Sequence, residues 1–269
     1  MKLLTPASYQ TKLRHSEDKQ ELYSVWSLSL SPADYAGTGK TNCTHSVPAC
    51  VRACVGSPNV GLAAIWKSIM ESRTQKTRYL QEDPQGFICQ LKHEIGLAQT
   101  YAERIGQKLG CRLNAFSDLP WEHPRFGSIP QAFDGNAGPL VQLYDYSKVL
   151  SRIGKQPTNY ALTASWDGAV NGPACIRLLE TGHNVSVVFA EPGNYAGNGA
   201  LRQRLPKRWR LPGSSHLWEV FAGDETDLRF LDPGKTRTGN GRICGLLLKS
   251  GSTAERDAAI ESGFCQIVD

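Results

Sequence analysis

Apolar residues recur along this chain with two different periods. Leu22 to Leu30 sets Trp26, Leu28 and Leu30 on one parity and Ser27 and Ser29 on the other, which predicts a strand with one buried face. Pro32 and the Gly37-Thr38-Gly39 turn end it. Leu62, Ile65, Trp66, Ile69 and Met70 then fall at helical spacing, and a second helix is predicted from Pro84 to Leu109, closed by Gly110. From Cys111 the pattern changes to short apolar runs: Cys111 to Phe116, Leu140 to Tyr146, Tyr160 to Ser165, Val185 to Ala190, Leu217 to Ala222 and Ile243 to Leu248. A helix at Pro173 to Glu180, capped by Thr181-Gly182, joins two of them.

Strands alternating with helices in this way predict an α/β fold with a mainly parallel sheet, forming a partial or complete TIM-like barrel. Residues 1–21 are polar and weakly patterned, so they are expected to be an N-terminal arm or edge segment outside the core. Residues 22–269 form the barrel-like domain.

Parallel strands bring their carboxyl ends to one crevice, so the polar residues that follow each apolar run are candidates for a shared site. Asp118, Asp145, Lys148 and Asp224 are the catalytic candidates, and Asn114, Ser117, Thr163, Ser165, Asp227 and Lys249 are the substrate-binding ones. Taken singly, each Ser, Thr or Asp reads better as a turn residue or the cap of a following helix, and only their recurrence after five strands favours a shared site. Gly223 lets the acidic turn bend sharply, which predicts that Asp224 faces the crevice while Asp227 caps or pairs with Arg229.

Three of the eight cysteines, Cys43, Cys50 and Cys54, fall within twelve residues just after the first strand. Cys50 and Cys54 stand four apart, the spacing of one helical face, and Cys43 folds back across Pro48. The trio suits an iron–sulfur cluster with one open iron, a zinc ion completed by His45 or Cys111, or unligated thiols. Cys89, Cys111, Cys175, Cys244 and Cys265 read as small core hydrophobes.

Composition narrows the classes. With 40% apolar and 20% charged residues the chain is neither disordered nor fibrous, and no apolar run is long enough for a membrane span. No apolar segment precedes the charged stretch Lys12 to Glu21, so no signal peptide is predicted and a cytoplasmic location is expected. In that reducing compartment clustered cysteines point to metal or catalysis rather than disulfides. The formal charge of +5 is mild, but Arg202, Arg204, Lys207, Arg208 and Arg210 crowd around Trp209, a density that suits phosphate, as in nucleic acid, or an acidic partner, and that also reads as a solvated loop with chance charge. The Walker, dinucleotide-binding, zincin and nucleophile-elbow motifs are absent, and Gly37-Thr-Gly-Lys-Thr41 is only a truncated phosphate loop.

The run Ser27-Leu-Ser-Leu-Ser-Pro-Ala-Asp34, the cysteine trio, Arg112-Leu-Asn-Ala-Phe-Ser-Asp118-Leu-Pro-Trp-Glu122, Tyr144-Asp-Tyr-Ser-Lys148, Pro157-Thr-Asn-Tyr-Ala-Leu-Thr-Ala-Ser165 and Gly223-Asp-Glu-Thr-Asp-Leu-Arg-Phe-Leu-Asp-Pro233 together resemble the phage-encoded gene product 88 family. That resemblance covers about residues 20–250 and implies phage origin, hence the host cytosol, without implying a chemistry. The order of strand, cysteine loop, helices and further strands is also similar in architecture to radical S-adenosylmethionine enzymes. This second resemblance implies a 4Fe-4S cluster on Cys43, Cys50 and Cys54 with S-adenosylmethionine at the open iron, although the cysteine spacing differs and the glycine-rich cofactor motif is missing. The leading expectation is therefore an iron–sulfur enzyme. The alternatives are a zinc-stabilised barrel that binds or modifies nucleic acid, and a non-catalytic phage protein directed at a host factor.

Overall fold

The computed structural model describes residues 1–9, 22–58, 67–135, 141–190, 205–249 and 253–268. Its framework is a single sheet of ten strands. In chain order they are β1 (Leu4–Pro6), β2 (Tyr23–Leu28), β3 (Lys108–Arg112), β4 (Val141–Ser147), β5 (Tyr160–Ser165), β6 (Val185–Ala190), β7 (Arg208–Trp209), β8 (Trp218–Ala222), β9 (Ile243–Leu247) and β10 (Cys265–Ile267). Across the sheet the order is β1-β2-β3-β4-β5-β6-β9-β8-β7, and β10 pairs with the second half of β6. The helices are α1 (Pro48–Arg52), α2 (Lys67–Glu82), α3 (Pro84–Arg104), α4 (Ile129–Ala132), α5 (Gly172–Glu180) and α6 (Thr253–Glu261).

The seven strands expected from the apolar runs form one all-parallel ladder from β2 to β8. Antiparallel edges follow on both sides, β1 beside β2 and β7 beside β8. The sheet does not close among the described residues, so the barrel expectation is corrected to an open, mainly parallel α/β sheet. Closure would need β7 or β8 to meet β1, and both edges are instead very short antiparallel strands, a common way to blunt an open edge.

Side-chain parity divides the sheet. Leu109, Cys111, Leu143, Leu162, Val187 and Ile243 face the main core under α3 and α5. The opposite face packs Val25, Tyr144, Leu228 and Phe230 near the amino ends of the strands. Because both faces are covered, the Ser27 side of β2 is buried too, contrary to the single buried face its alternation suggests. Leu3 and Leu4 are also buried in the main core, so the first residues contribute to it as well as to the edge.

Several boundaries shift for local reasons. The long helix stops at Arg104 rather than Leu109, because Gly106 takes a left-handed φ of 74° and turns the chain into β3. Gly110 therefore lies within a strand, and Leu113 to Phe116, expected as strand, form a loop. Leu62, Ile65, Trp66 and Leu140 fall outside the described residues, as do residues 10–21 of the expected arm.

Candidate functional site

The carboxyl rim of the parallel ladder is roofed by the cysteine loop. Asn42, itself buried, donates to Ser31 O at 2.8 Å, and its carbonyl accepts from Asp118 N at 2.8 Å, which ties this loop to the turn after β3. Pro48 starts α1, where its missing N–H costs nothing. Ala49 joins Ala190, Ala259, Phe264 and Cys265 in a small apolar cluster that fastens α1 over the end of β6 and against α6. Gly56 lies so close to Phe116 that a Cβ there would meet the ring at 2.5 Å, so the chain after Cys54 can pass only as glycine.

Two contiguous cavities open beneath this roof. The larger, about 440 Å³, has apolar walls from Val55, Phe116, Val188, Leu246, Leu248 and Phe264. Its polar floor comes from five adjacent strands: Ser27, Arg112, Tyr146, Ser165 and Ser186. The smaller, about 160 Å³, is lined by Cys43, Cys50, Cys54, Asn114, Ser117, Asp118, Lys148 and Ser165. Cys50, Cys54, Arg112, Tyr146 and Ser165 line both.

Burial dominates the chemistry of the three thiols. It pushes Cys43 up to about 12 and Cys54 up to about 11, and it raises Cys50 as well, so all three are neutral at pH 7 as they stand. Negative charge on Cys50 and Cys54 would raise Cys43 further, while Lys148 and Arg73 act on Cys50 and Cys54 in the opposite direction. Gly56 N–H points at Cys54 Sγ from 3.4 Å, and Cys43 Sγ lies 3.5 Å from Phe116 O. Among the described residues no three Cys, His, Asp or Glu side chains are grouped closely enough to hold a metal ion. His45 is exposed and bonds Thr44, and Cys111 faces the main core; neither lines a cavity with the trio.

The other sequence candidates divide between lining and support. Lys148 Nζ donates to Ser165 Oγ and Trp166 O and sits 5.2 Å from the Phe264 ring centre. Asp118 accepts from Lys148 N and from Arg152, which also holds Glu122. Asn114 and Ser117 reach the small cavity but spend their polar atoms on their own turn. Asn114 Oδ1 accepts from Ser117, Leu119 N and Trp121 Nε1. Asp145 lines neither cavity. It is fully buried on the helix-covered side, where it accepts from Asn114 N, Asn114 Nδ2 and Tyr160 Oη, so its role is to fix the turn that carries Asn114 to Asp118. Thr163 is buried in β5 and lines neither cavity.

Asp224 and Lys249 stand together at the mouth of the larger cavity, paired at 2.7 Å, with Leu247 N also bonding Asp224 at 2.8 Å. Asp227 pairs with Arg112 at 2.8 Å, not with Arg229, whose ion-pair partner is Asp232. Asp224→Asn keeps an oxygen for Leu247 N and loses only a pair with a half-exposed lysine. Its unfolding free energy in urea is expected to stay within about 1 kcal/mol of wild type, and a larger loss would make Asp224 a structural residue.

Sequence reasoning passed over Arg112, Tyr146, Ser27 and Ser186 because they lie inside strands rather than after them. The available signal was an arginine within an otherwise apolar strand of a sheet covered on both faces, a position that demands a buried partner. Of the basic segment, Lys207, Arg208 and Arg210 are exposed along the β7 edge, Trp209 packs against Phe189, and Arg202 and Arg204 lie outside the described residues. Among the described residues no helix is long and apolar enough to cross a membrane.

The family model for gene product 88 matches residues 2–266 of this chain. No curated protein and no solved structure matches it.

Proposed function

The chain belongs to the phage gene product 88 family, and within that frame we propose that it is an iron–sulfur protein whose rim cavity binds and transforms a small molecule. The observation that carries this reading is the convergence of Cys43, Cys50 and Cys54 on one cavity at the carboxyl rim of a parallel sheet. That rim is where open α/β folds bind ligands, and the larger cavity has the volume of a small-molecule site. Three thiols with no fourth ligand lining the same cavity are why we read a cluster with an open iron rather than a closed zinc site.

The donor set fits in other respects. Three thiols without a fourth suit a cluster with one open iron, the Gly56 N–H is directed at one sulfur, and Arg73 and Lys148 offset the charge that thiolates would bring. When bound, such a cluster supplies electron transfer or activation of a ligand at the open iron. The chain's own part is to exclude water with Phe116, Val188 and Phe264 and to orient the ligand over the Arg112 and Tyr146 floor. Asp118 and Lys148 frame the small cavity, and Asp224 with Lys249 guards the entrance to the large one. S-adenosylmethionine is left out of this reading, because the cysteine spacing differs from that of radical S-adenosylmethionine enzymes and their glycine-rich cofactor motif is missing.

Anaerobic reconstitution with iron and sulfide tests the proposal. The wild type should turn brown and retain iron and sulfide in equal amounts through desalting. Each single Cys→Ser change at Cys43, Cys50 or Cys54 should lose most of that iron, whereas Cys89→Ser, on an exposed helix position, should retain it. Colourless protein with one tightly held zinc would replace this reading with the zinc alternative.

A further inference from the structure

The larger rim cavity has two kinds of lining, and neither offers a charge to a guest. Val55, Val188, Leu246, Leu248 and Phe264 give it apolar walls. Among the described residues that line it, the charged ones are Arg112, Asp224 and Lys249. Each is answered within the protein: Asp227 takes Arg112 at 2.8 Å, and Asp224 takes Lys249 at 2.7 Å. The strand hydroxyls are also engaged, since Ser186 Oγ donates to Ala164 O at 3.1 Å and Ser165 Oγ accepts from Lys148 Nζ at 3.1 Å. Tyr146 Oη and Arg112 Nε are buried out of a guest's reach. At the mouth, Asp224 and Lys249 stand side by side, so an ion of either sign meets a like charge there together with an opposite one.

We propose that this cavity takes an uncharged, largely apolar small molecule, its body along Val188, Leu246, Leu248 and Phe264 and one end against Cys50 and Cys54, which line both cavities. The inference rests on the reading of this cavity as the binding site and names the class of molecule it receives. An ion would give up its hydration for walls that hold no unmatched charge, whereas an apolar body gains by leaving water. The volume, about 440 Å³, is that of a small-molecule site.

The test uses three probes of one shape, 4-phenylbutan-1-ol, 4-phenylbutyrate and 4-phenylbutylammonium, titrated calorimetrically at two temperatures into protein as purified and into reconstituted protein. The alcohol should bind with a negative heat-capacity change and at least about tenfold more tightly than either ion. Val55 is exposed at 43% and lines the cavity, so Val55→Asp should keep the wild-type melting temperature while placing a charge in the apolar wall. Affinity for the alcohol should then fall by about tenfold. Leu97→Asp, at an exposed position on α3 away from this cavity, should leave that affinity unchanged. An ion that binds as tightly as the alcohol, undiminished affinity in Val55→Asp, an equal loss in Leu97→Asp, or no alcohol binding below about 10 mM would overturn the proposal. Iron content is measured on the same samples. Alcohol binding without iron retention removes only the cluster reading, and iron retention without alcohol binding removes only this one.

Discussion

Arg112→Met should be the most damaging single substitution in the sheet, lowering the unfolding free energy by about 3–5 kcal/mol, the usual cost of removing one partner of a buried ion pair. Asp227 has no exposure to solvent, and its carboxylate takes Arg112 Nη1 at 2.8 Å. The guanidinium also lies 5.0 Å from the Tyr146 ring centre, so methionine removes a cation–π contact together with the ion pair. Repair is expected in the double variant Arg112→Met/Asp227→Leu, because replacing both charges with apolar groups spares each its desolvation. Urea unfolding of the two single variants and the double variant decides the matter. If the double variant is no more stable than Arg112→Met, the buried charge is not the cause of the loss.

Asp145→Asn should rank second, at about 2–3 kcal/mol, because an amide turns its NH₂ toward donors whichever way it is placed. One carboxylate oxygen accepts from Asn114 N at 2.7 Å, and the other accepts from Asn114 Nδ2 at 3.1 Å and Tyr160 Oη at 2.8 Å. The same residue makes stability depend on pH. Burial lifts Asp145 to about 7, although Arg112 and the Asn114 and Tyr160 hydrogen bonds pull it down. The unfolded chain has an ordinary carboxyl near 3.9, so the folded state holds the proton more tightly across this interval. The contribution is complete below about pH 4 and is lost as pH rises through about 7, with a slope of up to about 1.4 kcal/mol per unit. Asp232, also raised to about 7 by burial, adds a slope of the same sign that the variant keeps. Urea midpoints at pH 5, 6, 7 and 8 should fall with pH in wild type and fall less steeply in Asp145→Asn. Parallel slopes would mean that Asp145 is ionised throughout.

Both residues show how the sequence speaks and where it stops. By its place after an apolar run, Asp145 reads as one of the strand-end groups facing a crevice. In fact it lies within β4, on the parity of Leu143, so it points into the helix-covered core. Its neighbour Tyr146, on the other parity, lines both rim cavities, and Ser147, the last residue of that strand, and Lys148 after it line the smaller one. A one-residue change in where a strand ends decides between core and cavity, because successive side chains point to opposite faces.

What the sequence determined by itself is the parallel ladder. The seven apolar runs became its seven strands, since runs of that length between helices have few ways to bury two faces except as a parallel sheet. It also determined the shared rim, because parallel strands leave no choice about which ends coincide, and with it the meeting of the cysteine loop with Asp118, Lys148 and Asp224. The tertiary structure alone decided that the sheet stays open and that β1, β7 and β10, two or three residues each and too short to carry a period, join it. It alone decided that Asp227 answers Arg112 across 115 residues of chain. Pairing over that distance leaves no local periodicity, because it follows from which faces of β3 and of the turn after β8 are pressed together, and only the packed sheet fixes that.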